Sequence, residues 1–529
     1  MSEQLALLPG YLTAHLQLSL PALVIAALIS IPLGILVTRR RGLEPGVVGT
    51  ASVIQTIPSL ALLAIMVPVL AALGTVTEAA FGIPLRGIGF APAFVALTLY
   101  GLLPILRNTV TGVEGVDPAL VEAARGVGMT PREQLRRVEL PLAMPVIVAG
   151  LRTAGVWVIG TATLSTPVGA TSLGNFIFSG LQTRNFDAVL VGCVAAALLA
   201  LTLDQLIRAL ESGIRERRRG RVRLAGGALA ALLLFTGASF FDDGGAGDRR
   251  PVTIGSKAFT EQYVLSEILA QQIAARTGLP TEAVQSLGST VAFEALRNGD
   301  LDLYVDYSGT IWATLMERSD LPETRGAVLE AVKGFLGDAH GITVVGALGF
   351  ENTYALGMRA DRARERGIAR ISDLSRHAPA LEIGGDYEFF QRTEWRALAD
   401  RYGLPFRHQR TMDPALMYQA VAEGEVDVIS AYSTDGRIAA YDLVLLEDDQ
   451  GVIPPYDAIV LARPGLARER PEVLAALRPL VGAIDAGAMQ RMNLAVDGAG
   501  EAPGAVAQRF LAALKTNPSP AGEPPTPGR

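Results

Sequence analysis

Six stretches of this 529-residue chain stay apolar long enough to cross a bilayer, and all of them precede residue 242. A spanning helix needs about 20 apolar residues. The segments near 13–37, 47–73, 86–106, 144–170, 187–209 and 223–241 supply them. Pro21, Pro32, Pro58 and Pro68 interrupt the early ones, which a bundle tolerates because neighbouring helices satisfy the freed carbonyls. From Pro251 the rhythm changes to short β-rich runs alternating with helical ones, the pattern of an α/β domain. VTIGS (252–256) reads as a strand, and the run beginning FTEQYVLSEILA as a helix ending at Gly278. A strand near 281–287, a helix near 289–298 and a strand at 301–305 follow. Further strands are expected at 342–346, 352–358, 381–384, 426–430, 442–446 and 457–462, in two lobes joined near 350–358 and 450–457. The predicted fold is an all-α transmembrane bundle of about six helices followed by a two-lobed α/β domain.

Charge orients the bundle. The net charge of −6 conceals a split, with arginine clusters in the apolar half and acids frequent in the other. Arg39, Arg40 and Arg41 follow the first stretch; Arg107, Arg125, Arg132, Arg136 and Arg137 follow the third. Arg215, Arg217, Arg218, Arg219, Arg221 and Arg223 fall between the fifth and sixth. If each stretch crosses once, all three clusters share one side, which the positive-inside rule makes cytoplasmic. Both termini are then outside. The sixth stretch also resembles the basic and apolar regions of a signal peptide. It is expected to remain as an uncleaved anchor, with cleavage near Ser239 as the alternative. The domains expected are therefore 1–222 in the membrane, 223–249 as anchor and linker, 250–515 outside, and a Pro-rich disordered tail at 516–529.

Composition excludes several classes. The basic runs flank apolar stretches rather than aromatic platforms, so no nucleic-acid binding is expected. Cys193 is the only cysteine, which rules out an intrachain disulfide. His15, His340, His377 and His408 lack metal-ligand spacing. No GxxxxGK[ST] loop and no nucleophile elbow occur. Neither cofactor, metal nor catalytic activity of its own is expected.

Residues 122–141, EAARGVGMTPREQLRRVELP, lie in the expected cytoplasmic segment 107–143. The combination of Glu122-Ala123-Ala124, Gly128 and Leu140-Pro141 resembles the EAA coupling loop of ABC importer permeases. The resemblance implies a short helix that docks on a separate cytoplasmic ATPase, with two copies of this chain per transporter. Ala123 and Ala124 allow close approach, Gly128 a turn, and Pro141 a stop before the next span.

The second half carries its own resemblance. GSKAFTEQYVLSEILA (255–270), DYSGT (306–310), ENTYAL (351–356), MDPALMYQAV (412–421) and AYSTDGRIAAYDLVLLEDD (431–449) are similar to the osmoprotectant and quaternary-amine binding family. That family includes binders of glycine betaine, choline, carnitine and ergothioneine, and it implies a type II periplasmic-binding-protein-like fold. A quaternary ammonium donates no hydrogen bond and is best held over ring faces. Ten of the twelve tyrosines fall in this domain. Tyr307, Tyr354 and Tyr432 lie inside the motifs where cage residues are expected, with Tyr418 as a fourth candidate and His408 or Tyr387 as alternatives. For a ligand carboxylate, Ser256, Lys257 and Thr260 lie where a strand feeds a helix N-terminus, and Arg392 could add a two-pronged contact. Glu261 and Asp306 are acids that could sit near the cation, although Glu261 could also stabilise its helix N-terminus. Thr393-Glu394-Trp395 departs from the family's Asp-Gly-aromatic continuation and leaves ligand identity open.

The function expected is ATP-driven import of a quaternary-ammonium solute across a bacterial plasma membrane. An importer of ergothioneine or another amino-acid betaine is the alternative. A membrane-anchored ligand sensor is a third reading, against which the intact EAA spacing argues.

Overall fold

The computed structural model describes residues 2–81, 86–183, 185–241, 250–318, 324–386 and 388–516. The expected linker at 242–248 and the tail beyond Thr516 lie outside these residues. Two compact units divide the chain: residues 1–178 with 187–247, and residues 248–529 with the segment 179–186.

The first unit is helical: α1 (Ser2–Arg39), α2 (Glu44–Thr56), α3 (Ser59–Phe81), α4 (Phe90–Glu114), α5 (Pro118–Gly126), α6 (Pro131–Gln134), α7 (Leu140–Ala162), α8 (Gly174–Gln182), α9 (Phe186–Arg215) and α10 (Arg219–Ser239). Among the described residues, five helices are long and apolar enough to span a membrane, or six if α2 and α3 count as one broken span. The stretch expected at 47–73 is not one rod, because α2 and α3 meet at 104°. Pro58 explains the break. It cannot supply an N–H, and it pushes Ile57 into an extended conformation (φ −68°, ψ 128°). Pro9, Pro21 and Pro32, by contrast, are absorbed within α1.

Helix α4 packs against α1 and α7 at the centre of the bundle. Leu16, Leu20, Leu23, Ala26, Ile105, Val148, Ala154 and Leu203 form a buried cluster there. Gly150 sets the approach of α7, since a Cβ at that position would meet Asn108 Cβ at 2.5 Å.

The segment read as a coupling loop folds as α5, a turn at Gly128 (φ +84°) and α6, whose N-terminus Thr130 and Glu133 close as a capping box. Pro141 does not stop the chain, contrary to expectation. Helical geometry continues from Pro131 to Ala162 through a π turn at Leu135–Glu139. The widened turn accommodates the proline, and Leu140 N–H bonds to Leu135 O instead.

The second unit holds two five-stranded sheets. The first contains β1 (Val252–Lys257), β2 (Thr281–Leu287), β3 (Leu303–Tyr307), β4 (Thr343–Glu351) and β10 (Asp457–Ala462), in the order β2-β1-β3-β10-β4. The second contains β5 (Tyr354–Arg359), β6 (Glu382–Gly385), β7 (His408–Thr411), β8 (Val428–Tyr432) and β9 (Leu443–Leu445), in the order β7-β6-β8-β5-β9. The chain leaves the first sheet after Glu351 and returns to it at Asp457, as the two expected crossovers require. Both crossovers are tied to one residue. Arg325 meets Glu351 at 2.8 Å and donates to Asp457 from Nε at 2.8 Å. Strand β7 was not anticipated, because its four residues, HQRT, are all exposed on a sheet edge.

Candidate functional site

The two lobes meet where strands end. Tyr307 is the last residue of β3, Tyr432 the last of β8, and Phe259 follows β1 at the start of α11 (Thr260–Thr277). Carboxyl ends of strands are where open α/β sheets take their ligands. Tyr354 joins them by register, because antiparallel pairing of β5 with β8 sets it directly opposite Tyr432. Their ring centroids are 5.1 Å apart and their hydroxyls 3.4 Å. Phe259, from the first lobe, lies parallel to Tyr432, from the second, at 6.0 Å and 1°. Tyr307 backs Phe259 at 6.2 Å. Phe389 and Tyr456 extend the cluster from Tyr354, at 5.4 and 5.9 Å. Three of the expected cage tyrosines therefore come together, around a phenylalanine that is not among the expected cage residues.

The tyrosine hydroxyls are tied to carboxylates. Tyr432 donates to Asp386 Oδ2 at 2.7 Å and Tyr307 to Glu261 Oε1 at 2.5 Å. Burial, reinforced by these neighbours, holds both phenols well above the usual tyrosine range, so they stay neutral donors.

Glu261 is 2% exposed and sits in the first turn of α11. Besides Tyr307 it accepts from Asn352 Nδ2 at 3.0 Å, from Asn493 Nδ2 at 3.2 Å, and from the Thr434 hydroxyl. Burial pushes its carboxyl above the usual range while the four donors pull it back. Thr434 belongs to the second lobe, so this carboxylate bridges the two lobes. A small cleft opens beside it, lined in part by Phe259, Tyr432, Asp435, Arg437 and Asp497.

Other expected residues lie elsewhere or are engaged. Lys257 Nζ meets Asp306 Oδ1 at 2.5 Å, and Tyr304 OH donates to Asp306 Oδ2 at 2.6 Å. The two charges thus face each other between β1 and β3 and are not among the cleft-lining residues. Thr260 does line the cleft, with its hydroxyl on Asp497 Oδ1 at 2.6 Å. Ser256 is fully buried and its Oγ has no hydrogen-bond partner among the described residues. Arg392 lies 5.0 Å over the Tyr354 ring and forms a buried pair with Glu394 at 2.9 Å. Tyr418 is a correction to the cage. It is fully buried in the second lobe, with Arg437 4.1 Å over its ring, and its hydroxyl accepts from Tyr432 N at 2.9 Å. Its helical spacing reflects core packing. His408 is also placed elsewhere, exposed on edge strand β7. Tyr387 lies outside the described residues.

Asn352 and Thr434 sit inside motifs quoted from the sequence and could have been found there. Asn493 and Asp497 come from the helix Ala486–Asp497, beyond every motif, and left no signal.

In the first unit, Glu122 and Ala123 are exposed on α5 while Ala124 is buried. Leu120 and Val127 are also exposed, Val127 at 74%, which gives the helix an uncovered apolar stripe at 120, 123 and 127. Leu140 and Pro141 begin α7. The buried Glu139 accepts from Gln134 Nε2 at 2.8 Å and pairs with Arg39, which ties this segment to the end of α1.

Residues 250–513 match the family described as the substrate binding domain of ABC-type glycine betaine transport systems. Residues 15–216 match the binding-protein-dependent transport system inner membrane component. The chain is 31% identical over 474 residues to the ergothioneine transport permease/ergothioneine binding protein of Helicobacter pylori (strain G27), covering 87% of this chain and 82% of that protein. It is 43% identical over 197 residues to a choline transport system permease protein of Bacillus subtilis (strain 168), covering 37% of this chain and 83% of that one. Over 293 residues it is 33% identical to a carnitine transport binding protein of Listeria monocytogenes, covering 54% of this chain and 95% of that protein.

Proposed function

Because the chain belongs to the osmoprotectant and ergothioneine family of ABC importers, as a permease fused to its own substrate-binding domain, we propose that it imports a quaternary-ammonium solute. Its permease half lies in the membrane and works with an ABC ATPase. The observation that supports the ligand class is the pair of rings Phe259 and Tyr432, backed by the buried Tyr307 and Tyr354, on a cleft whose lining also holds Glu261, Asp435 and Asp497 against Arg437. Rings offer a methylated cation their electron-rich faces, each worth about 0.5–2 kcal/mol, and the excess of acids favours positive charge.

Opening the lobes would draw Phe259 away from Tyr432 and admit the ligand; closing would seal it between them. The closed domain would then deliver it to the permease from the outer face, while the exposed stripe of α5 passes the motion of the ATPase inward. Two copies of the chain per transporter are part of this reading. Fusion keeps the binding domain at an effective concentration on the order of mM, so no search for a free receptor is needed.

A second reading, in which the solute is ergothioneine or another amino-acid betaine, is favoured by the fused architecture shared with the Helicobacter relative along 87% of this chain. Thermal unfolding of the purified full chain tests the ligand class. At 100 times its dissociation constant a ligand adds about 2.7 kcal/mol of stability. Glycine betaine, choline, carnitine and ergothioneine are each compared with an unmethylated counterpart. Stabilisation confined to one or more methylated compounds is expected; equal stabilisation by the unmethylated forms contradicts the cage.

A further inference from the structure

Two residues that line the cleft each carry a buried hydrogen-bond acceptor with no donor among the described residues. Glu261 receives the amide NH2 groups of both Asn352, at 3.0 Å, and Asn493, at 3.2 Å. A carboxylate accepts and does not donate, so each amide is held one way round, with its NH2 toward Glu261 and its carbonyl turned away. Asn493 is fixed a second time, since the same Nδ2 donates to Thr434 O at 2.8 Å. Both residues are buried, at 5% and 3% exposure, and neither Oδ1 receives a hydrogen bond from the described residues. Both line the cleft beside Phe259 and Tyr432. Buried carbonyls are ordinarily satisfied, so two unsatisfied ones on one cleft call for donors from what the cleft holds.

We propose that Asn352 and Asn493, oriented by Glu261, form a subsite for an N–H or O–H group of the solute. The inference rests on the reading of this cleft as a quaternary-amine site. It adds a requirement that the ring cluster does not impose: the substrate carries a hydrogen-bond donor besides its trimethylammonium group. Alcohols and N–H heterocycles with that group fit. Glycine betaine, whose only other group is a carboxylate, would set oxygen against oxygen here. The helix N-terminus expected to hold a ligand carboxylate is thus occupied by Glu261 and turned into an acceptor site. Glu261 acts through the two amides and is a positioning residue.

The test is calorimetric titration of the purified full chain with choline, the O-methyl ether of choline, L-carnitine, ergothioneine and glycine betaine. At least one donor-bearing compound is expected to bind about tenfold or more tightly than glycine betaine, because a site built to hydrogen-bond a ligand N–H or O–H rejects analogues lacking it. Methylating that donor should erase the advantage. Glu261→Gln frees the amides to turn, so the ratio of affinities between the donor-bearing compound and glycine betaine should collapse toward one, whatever the common loss from removing a negative charge. Glycine betaine binding as tightly as every donor-bearing compound, or an undiminished methylated form, overturns the subsite and leaves the cage standing. No binding by any trimethylammonium compound overturns the cage, and the subsite with it. The wild-type comparison stands even if Glu261→Gln does not fold.

Discussion

The cleft and helix α5 both present a glutamate in the first half-dozen helical residues, and they treat it in opposite ways. Glu261 is buried and takes four donors. Glu122 is exposed beside uncovered Leu120 and Val127. A small molecule has few atoms to offer, so its site is assembled in advance from buried groups that hold each other in place. A protein partner brings its own surface, so a helix proposed to meet one can be left bare. Substitutions in the cleft should therefore change affinity and stability together, whereas those on α5 should change transport alone.

The largest effect expected is on the bare surface. Leu120→Asp combined with Val127→Asp should reduce ATP-driven uptake by about a hundredfold or more, because charge replaces the buried apolar centre of an interface. Ligand affinity of the purified chain, measured beside it, should not move. A matching loss of affinity would show that the two regions are not separable.

Next comes the cage. Tyr432→Ala removes a ring face and the hydroxyl bonded to Asp386. Affinity for a trimethylammonium ligand should fall by about tenfold or more. Equilibrium titration checks this, and unchanged affinity removes Tyr432 from the site.

Gly128→Val should have an intermediate effect. At φ +84° a β-branched residue is strained by roughly 1–2 kcal/mol, although nothing lies within 4 Å of the added Cβ. Uptake should drop several-fold with the chain still folded. Full activity would mean that the turn is not part of the coupling.

The smallest effect expected is at Tyr418. Replacing it by Phe keeps the ring under Arg437 but removes the acceptor for Tyr432 N–H. A stability loss of about 1 kcal/mol is expected in thermal unfolding, with ligand affinity little changed.

What the sequence disclosed divides along the same line. Membrane helices and the α5 segment are written locally, in runs of apolar residues and in a motif of contiguous positions, so they could be read directly. The bend at Pro58 and the π turn before Pro141 depend on how a particular backbone absorbs a missing N–H, which periodicity does not encode. In the ring cluster, Tyr307, Tyr354 and Tyr432 are legible because strand ends and family motifs coincide there. Tyr418 misled because a helical residue facing the core of its lobe also sits in a motif. Asn493 could not be read, since it reaches Glu261 from 232 positions away. Lys257 and Asp306 looked like ligand contacts one at a time; only the pairing of neighbouring strands β1 and β3 shows that they meet each other.

In the reading proposed above, one chain both captures the solute and passes it through the membrane. Reconstituting the full chain with an ATPase subunit of its importer family in proteoliposomes, with no separate binding protein added, tests it most directly. ATP-dependent accumulation of a trimethylammonium solute, lost with Tyr432→Ala, is the result expected. Accumulation that persists in Tyr432→Ala, or that requires a free binding protein, would contradict it.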